Sequence, residues 1–334
     1  MMIILDNQQW VENQFADCDL QDKRRTFRLQ VIAKNMLAQP DGSLPQQNTD
    51  WADLKAAYRL FDRPEVRFES ITTPHWEQTR QAKPGRYLLI SDTTDIDLYT
   101  HQATTDLGIL GDGKGRGIQL HSCLMFDCDR QQIVGQAGAI PYYRQHKPKN
   151  ETRMQRLNRR RESSLWGELV DQVGPAPEQS QWIHVFDRGG DNFEAMCHIK
   201  QSGCDWVIRA SKLSRKVIDQ QGTETTLKKA AECAQQVGSY ELHLRSRPGV
   251  AARTAKLTVS VSTVPVPRPS HASQRGRKCG SAQRTMNVVA VQEATTPTGG
   301  APRPWVLRPS QPVETFEDAW QVLEASANRW MLEE

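Results

Sequence analysis

Two apolar runs lead into aspartates: Tyr87-Leu88-Leu89-Ile90 runs into Ser91-Asp92-Thr93-Thr94-Asp95, and Trp182-Ile183-His184-Val185-Phe186 runs into Asp187-Arg188-Gly189-Gly190-Asp191. If both runs are neighbouring strands of one helix-covered sheet, Asp92 and Asp187 meet at the carboxyl ends of the strands, where ligands gather in such sheets. Carboxylate oxygens suit Mg²⁺ or Mn²⁺, and two such ions roughly 3.5–4 Å apart stabilise both the attacking and the leaving oxygen of a phosphodiester displacement. A third carboxylate from elsewhere in the chain would complete that cage. A strand-end aspartate more commonly caps the next helix or turn, so on the residues alone both roles stay open.

The elements that must position these acids are legible as changes of rhythm. The first eighty residues look helical: Leu29, Ile32, Ala33, Met36 and Leu37 recur at helical spacing before Pro40 and Gly42, and a second helix is expected from Trp51 to Phe61. Arg24, Arg25 and Arg28 stand at the head of the first of these helices, and Lys55 and Arg59 lie one turn apart on a single face of the second. This pattern fits a small DNA-contacting module and equally a helical cap packed on a neighbouring domain. From residue 87 the chain reads as three strands (the run ending at Asp92, then Ile118 to Phe126 and Ile133 to Ile140). Helix (Ser163 to Val173), strand (Trp182 to Phe186), helix (Asn192 to Lys200) and strand (Trp206 to Ile208) then follow in turn. That sequence of elements predicts an α/β fold with a mixed sheet and covering helices. Strand-like pieces at Tyr240–Leu244, Leu257–Val264 and Met286–Val291, separated by Pro-, Ser-, Gly- and Arg-rich loops, predict an inserted β-rich subdomain. Thr315 as N-cap and Asp318 three residues later open a final helix expected to run through Trp330 to the terminus. The domain boundaries read from these changes are 1–70, 71–212, 213–304 and 305–334.

Composition bounds the class. The chain has 334 residues, 37% of them apolar and 25% charged, with no run of eighteen apolar residues, so a membrane span is excluded as an expectation and the cytoplasm is the default. Seven scattered cysteines without a Cys-x-x-Cys pair suggest neither disulfides nor zinc. A net charge of +4 is a weak pointer to an anionic partner, but the cations cluster. Arg153, Arg156, Arg159, Arg160 and Arg161 form one run, and Arg268, Arg275, Arg277, Lys278 and Arg284 form another. Each run fits phosphate contact or a solvated surface equally well.

Several motifs together resemble the insertion-sequence-four family of DDE transposases, the group containing the transposon-five enzyme, over nearly the whole chain. Asp19-Leu20-Gln21-Asp22-Lys23-Arg24-Arg25, Ser43-Leu44-Pro45 and Trp51 to Asp62 resemble that family's N-terminal DNA-binding domain. Asp92-Thr93-Thr94, Leu120-His121-Ser122 and Asp187-Arg188-Gly189-Gly190-Asp191 resemble its first catalytic motif, the following strand and its second motif. Gln311-Pro312-Val313-Glu314 and Asn328-Arg329-Trp330-Met331-Leu332-Glu333-Glu334 resemble the approach to the third carboxylate.

The resemblance implies a ribonuclease-H-like core, a metal-binding triad of Asp92, Asp187 and Glu333 holding two Mg²⁺ or Mn²⁺ ions, and Arg329 as the arginine of the tyrosine-arginine-glutamate-lysine signature. It also implies that Trp305 stacks on a base flipped out of the transposon end and that Arg209, Lys212, Arg215 and Lys216 contact DNA. The implied partners are transposon ends and target DNA, with a homodimer for the full-length family and a nucleoid-associated, cytoplasmic location. Arg329 and Glu333 are four residues apart, so on a continuing α-helix they share a face and the guanidinium can hold a phosphate beside the acid. An ordinary surface Arg–Glu pair has the same spacing. Likewise, Trp305 fits a strand-end core position as well as a stacking platform.

The sequence departs from the family pattern in three places. Ser326 stands where the signature has tyrosine, the lysine implied seven residues past Glu333 lies beyond the last residue Glu334, and Arg308-Pro309 falls in a stretch expected to be an apolar strand. The expectation is therefore a C-terminally truncated transposase. A chain that binds transposon ends without cutting them, and a stand-alone metal-dependent nuclease, are the competing readings.

Overall fold

The computed structural model describes residues 6–111, 113–219, 221–246, 251–269, 277, 283–294 and 305–332. The chain forms two compact units, Met1–Lys83 with Gly135–Ala137, and Pro84–Val134 with Gly138–Glu334.

The first unit is helical: α1 (Asn7–Phe15), α2 (Lys23–Ala38), α3 (Leu44–Gln47), α4 (Trp51–Phe61) and α5 (Phe68–Arg80). Asp22 caps α2 by accepting from the Arg24 amide at 2.9 Å, and Asp50 caps α4 by accepting from the Asp53 amide at 2.8 Å, each satisfying a donor that the first turn leaves without a helical partner. Leu29 and Ile32 of α2 and Ala57 and Leu60 of α4 bury their apolar stripes against Cys18 and Leu20. Helix α5 runs across the expected boundary at residue 70. Its Trp76 is buried, and the indole Nε1 donates to Gln136 Oε1 at 3.1 Å, a contact within this unit.

The second unit is built on one long mixed sheet. Its strands are β1 (Arg86–Asp97), β2 (Gly108–Leu110), β3 (Gly115–Asp127), β4 (Gln132–Tyr142), β5 (Gln181–Phe186), β6 (Asp205–Arg209), β9 (Gln235–Leu244), β10 (Arg253–Pro267), β11 (Gln283–Glu293) and β12 (Trp305–Pro309). A separate short pair is formed by β7 (Lys216–Ile218) and β8 (Glu224–Thr226). The sheet order is β2-β3-β1-β5-β6-β12-β11-β10-β9, with β4 also on β3. Strand β1 is antiparallel to β3 and parallel to β5, which is parallel to β6. Helices α6 (Arg153–Asn158) and α7 (Glu162–Val173) precede β5, α8 (Phe193–Gln201) links β5 to β6, α9 (Leu227–Glu232) precedes β9, and α10 (Phe316–Ala327) closes the fold.

Alternation along the strands separates two buried faces. Leu88, Ile90, Ile183, Val185, Val207 and Leu307 pack with Ala319, Val322 and Leu323 of α10. On the opposite face, Phe186 meets Trp166 of α7 with ring centroids 4.8 Å apart, and Trp166 in turn meets His121 at 4.5 Å.

Two expectations change. The segment between β6 and β12 is β-rich, and its long strands belong to the central sheet: β12 pairs with β6 on one edge and β11 on the other, so β9–β11 extend that sheet. Strand β1 does not end at Asp92. Thirteen-residue β3 keeps pairing with it as far as Asp97 opposite Gly117, whereas pairing with β5 stops at Ser91 opposite Phe186. Finally, Thr315 and Asp318 form the expected capping box, but the α-helix stops at Ala327 and residues Asn328–Leu332 form a tighter 3₁₀ turn. A last turn tightened in this way is common at helix ends.

His184 of β5 is fully buried with neither ring nitrogen hydrogen-bonded, and burial pushes its pKa down to about 3. The ring is neutral in the fold and protonates in the unfolded chain below about pH 6.5. Its contribution is therefore intact above pH 6.5 and is lost as pH falls toward 3, at about 1.4 kcal/mol per pH unit. Between pH 7 and pH 5 this one residue should lower stability by about 2 kcal/mol. Urea midpoints at the two pH values, for the wild type and His184→Leu, check this: the variant should show a shallower pH dependence, and equal slopes would refute it.

Candidate functional site

The register of β1 on β5 sets the site. Ser91 and Phe186 are the last paired residues, so Asp92 and Asp187 are the next position on two adjacent parallel strands, whose backbones are about 4.8 Å apart. Asp92 follows Ile90 of the α10-facing core at an interval of two within β1 and so belongs to that face, and Asp187 is the first residue after β5. Arg209, two residues past core-facing Val207, and Trp305, two before Leu307, occupy the same face at the same edge.

The 3₁₀ turn after α10 brings the remaining cation. Arg329 is buried, donates from Nη1 to Asp92 Oδ2 at 3.1 Å and lies over the Trp330 ring at 5.1 Å. Asp92 Oδ1 accepts from the Thr93 amide at 2.7 Å, and Asp187 Oδ1 accepts from the Gly189 amide at 2.6 Å. The Arg209 guanidinium sits over the Trp305 ring at 5.9 Å. Burial lowers the Arg209 pKa, the like charges of Arg188 and Arg329 lower it further, and Asp187 opposes them, so these four charges act on one another within one site. His121 lies directly behind it: Nδ1 is 2.8 Å from Thr93 Oγ1, and burial pushes the imidazole down to about 4, keeping it neutral near pH 7.

Glu333 lies outside the described residues, as do Arg275 and Lys278. Among the described residues no group of three His, Cys, Asp or Glu side chains could hold a metal ion. The two carboxylates that are described supply hard oxygen donors, the chemistry a Mg²⁺ or Mn²⁺ ion takes. They fit such an ion as part of a ligand set.

The other residues singled out from the sequence fall into two groups. Lys212 is exposed in the loop after β6, and Lys216 on β7 pairs with Glu224 at 2.7 Å, both side chains being largely in solvent. Arg215 instead turns inward to Asp191, at 2.9 Å. There it meets Arg308, which is 1% exposed and also bonded to Asp191, while Ser211 donates to the same carboxylate from its amide at 2.8 Å and its hydroxyl at 3.1 Å. Arg308-Pro309 therefore does lie in a strand, the charge being carried inside by a buried carboxylate. The sequence offers one signal for this pairing: a lone arginine in an apolar strand, and a second aspartate four residues after Asp187.

In the helical unit, Arg24, Arg25, Arg28, Arg59 and Arg63 line one shallow groove between α2 and α4. Arg28 pairs with Asp53 at 2.5 Å and Arg25 with Glu65 at 3.4 Å, whereas Arg59 and Lys55 are exposed on α4. Trp51, 72% exposed, and Tyr58 add aromatic surface to the same helix. Residues 7–66 match the family model for transposase DNA-binding. The match covers α1 to α4 and supports a transposase that has DNA as its partner. Among the described residues no helix is long and apolar enough to cross a membrane.

Proposed function

We propose that this chain is a cut-and-paste DNA transposase of the DDE type, with a ribonuclease-H-like core, that hydrolyses a phosphodiester at transposon ends and joins the freed strand to target DNA. The observation that carries this reading is the juxtaposition of Asp92 and Asp187 on adjacent parallel strands under Arg329 and Arg209, in a chain whose helical unit matches a transposase DNA-binding domain. Three antiparallel strands followed by two parallel ones separated by a helix support the ribonuclease-H-like assignment.

Asp92 and Asp187, with Glu333 as the third carboxylate, would hold two Mg²⁺ or Mn²⁺ ions. Bound there, the ions would supply Lewis-acid stabilisation of the attacking and leaving oxygens and a more acidic water. The protein's own part is orientation and charge. Arg329, bonded to Asp92, would hold a phosphate oxygen beside that acid, and Arg209 and Arg188 would add positive potential where negative charge builds up on the phosphate. Trp305, held under Arg209, offers a ring face for a base drawn out of the duplex, a contact worth roughly 1–3 kcal/mol in single-strand binders.

The test is Mg²⁺-dependent cleavage of a duplex carrying a transposon end, with the wild type and Asp92→Ala. Cleavage that needs the divalent ion and disappears in the variant supports the reading. Equal cleavage by both proteins removes the carboxylate site from it.

A further inference from the structure

The basic segment between β4 and α7 has no part in the site described above. Residues 144–161 contain eight Lys and Arg (Arg144, Lys147, Lys149, Arg153, Arg156, Arg159, Arg160, Arg161) and one acid, Glu151. Some of these charges are used locally: Arg159 bonds Glu151 at 2.6 Å, and Arg160 bonds Glu168 at 2.7 Å and lies over the Tyr142 ring. Lys147, Lys149 and Arg156 remain exposed. The segment folds around its single carboxylate. Glu151 is held below its ordinary pKa chiefly by the Arg159 bond, with the charges of Lys147 and Arg156 adding to it, so three cations share one acid. A solvated surface with mixed signs would not concentrate charge in this way.

Topology places this excess at a particular edge. The four residues between β3 and β4 are too few for a parallel crossover, so β4 is antiparallel to β3 and runs in the same direction as β1. The segment therefore leaves β4 at the carboxyl edge of the sheet, the edge that carries Asp92 and Asp187. It re-enters the fold at α7, whose first turn touches the Asp187 loop: Asn192 Nδ2 donates to the Ser163 carbonyl at 3.3 Å, and Gly189 lies against Trp166 so closely that a Cβ there would be 2.9 Å from the indole.

We infer that the exposed face formed by Lys147, Lys149 and Arg156 is a second DNA-binding surface, one that grips the phosphate backbone of the duplex flanking the strand presented to Asp92 and Asp187. This inference rests on the reading of the site as one that acts on DNA. Three exposed cations, on a segment whose single acid is already taken up by Arg159, fit sequence-independent phosphate contact.

The experiment is binding of a mixed-sequence 30-base-pair duplex to the full chain by fluorescence anisotropy between 50 and 200 mM salt. It compares the wild type, the triple variant Lys147→Ala/Lys149→Ala/Arg156→Ala and the charge-keeping triple Lys147→Arg/Lys149→Arg/Arg156→Lys. Each phosphate contact contributes about 0.9 to the slope of log K against log salt. The alanine triple should flatten that slope by about 2 to 3 and weaken binding by at least about a hundredfold at 50 mM, a gap that narrows by about 16- to 64-fold at 200 mM, while the charge-keeping triple retains the wild-type slope. An unchanged slope in the alanine triple, with the wild type binding normally, overturns the inference and leaves the reading of the site intact. A wild type that binds no duplex overturns both. Far-ultraviolet circular dichroism and thermal midpoints separate loss of contact from loss of fold.

Discussion

Asp187→Ala is expected to slow Mg²⁺-dependent strand cleavage by about a thousandfold while changing duplex affinity less than about twofold. The size follows from removing one of the hard oxygen donors at the carboxyl edge of the sheet. Metal-assisted charge stabilisation amounts to several kcal/mol, and each 1.36 kcal/mol is a decade in rate. The separation of the two effects follows from the chain's organisation. The arginine groove of α2 and α4 and the carboxylate edge of the sheet belong to different compact units, so the DNA-holding surface keeps all of its cations when the acid is lost. Removing a negative charge beside Arg209 and Arg188 also leaves the local potential more positive, which opposes any loss of phosphate affinity. Single-turnover cleavage of an end-bearing duplex, with anisotropy on the same substrate, measures both. A variant that cuts within tenfold of the wild type, or one that loses both functions together, would be incompatible with this division of labour.

The second large effect concerns stability and is asymmetric. Asp191 is the carboxylate bonded to Arg308, whose side chain is 1% exposed; the other atoms near that guanidinium are the sulfurs of Met286 and Met196. Asp191→Asn leaves a guanidinium buried without its counter-charge and should cost about 3–5 kcal/mol. Arg308→Met should cost clearly less. The carboxylate keeps Arg215 and both Ser211 donors, and an unbranched thioether fills a site already lined by two methionines. The double variant should recover part of the Asp191→Asn loss, because the buried Arg308 charge is removed together with its counter-charge while Arg215 still loses its carboxylate partner. Denaturant midpoints for the two single variants and the double variant form the cycle. Equal losses in the single variants that simply add in the double would show that the two side chains do not interact.

How much of this was readable in the sequence depended on whether the signal was local. Helix α4 falls on Trp51–Phe61 as expected, and what makes it a helix, the Asp50 cap and the buried stripe of Leu54, Ala57 and Leu60, lies within a dozen residues. The three strands and the strand–helix alternation that follows were equally legible, whereas the adjacency of the two apolar runs leading into aspartates stayed a condition until the pairing of β1 with β5 supplied it. The continuation of β1 to Asp97 was not legible, because the residues after Asp92 are polar and it is their pairing with β3 that makes them a strand. The same holds for β12. Its role in joining two parts of the sheet depends on partners far away in the chain, and Arg308 looks out of place in an apolar strand until Asp191, 117 residues earlier, is brought beside it. The switch from α to 3₁₀ at Asn328 also escaped the periodicity, which continues through Trp330 and registers spacing but not the tightening of a last turn.

Strand β6 ends at Arg209 and the neighbouring β12 begins at Trp305, and these two side chains rest on each other. The long segment between them, which carries β9–β11, thus has its two ends joined twice, by the β6–β12 ladder and by a cation–ring contact at the mouth of the site. A ligand that shifts β9–β11 is felt at β12 through its pairing with β11, so Trp305 and the Arg209 that rests on it are where events on those strands would register as a change in how a phosphate is received.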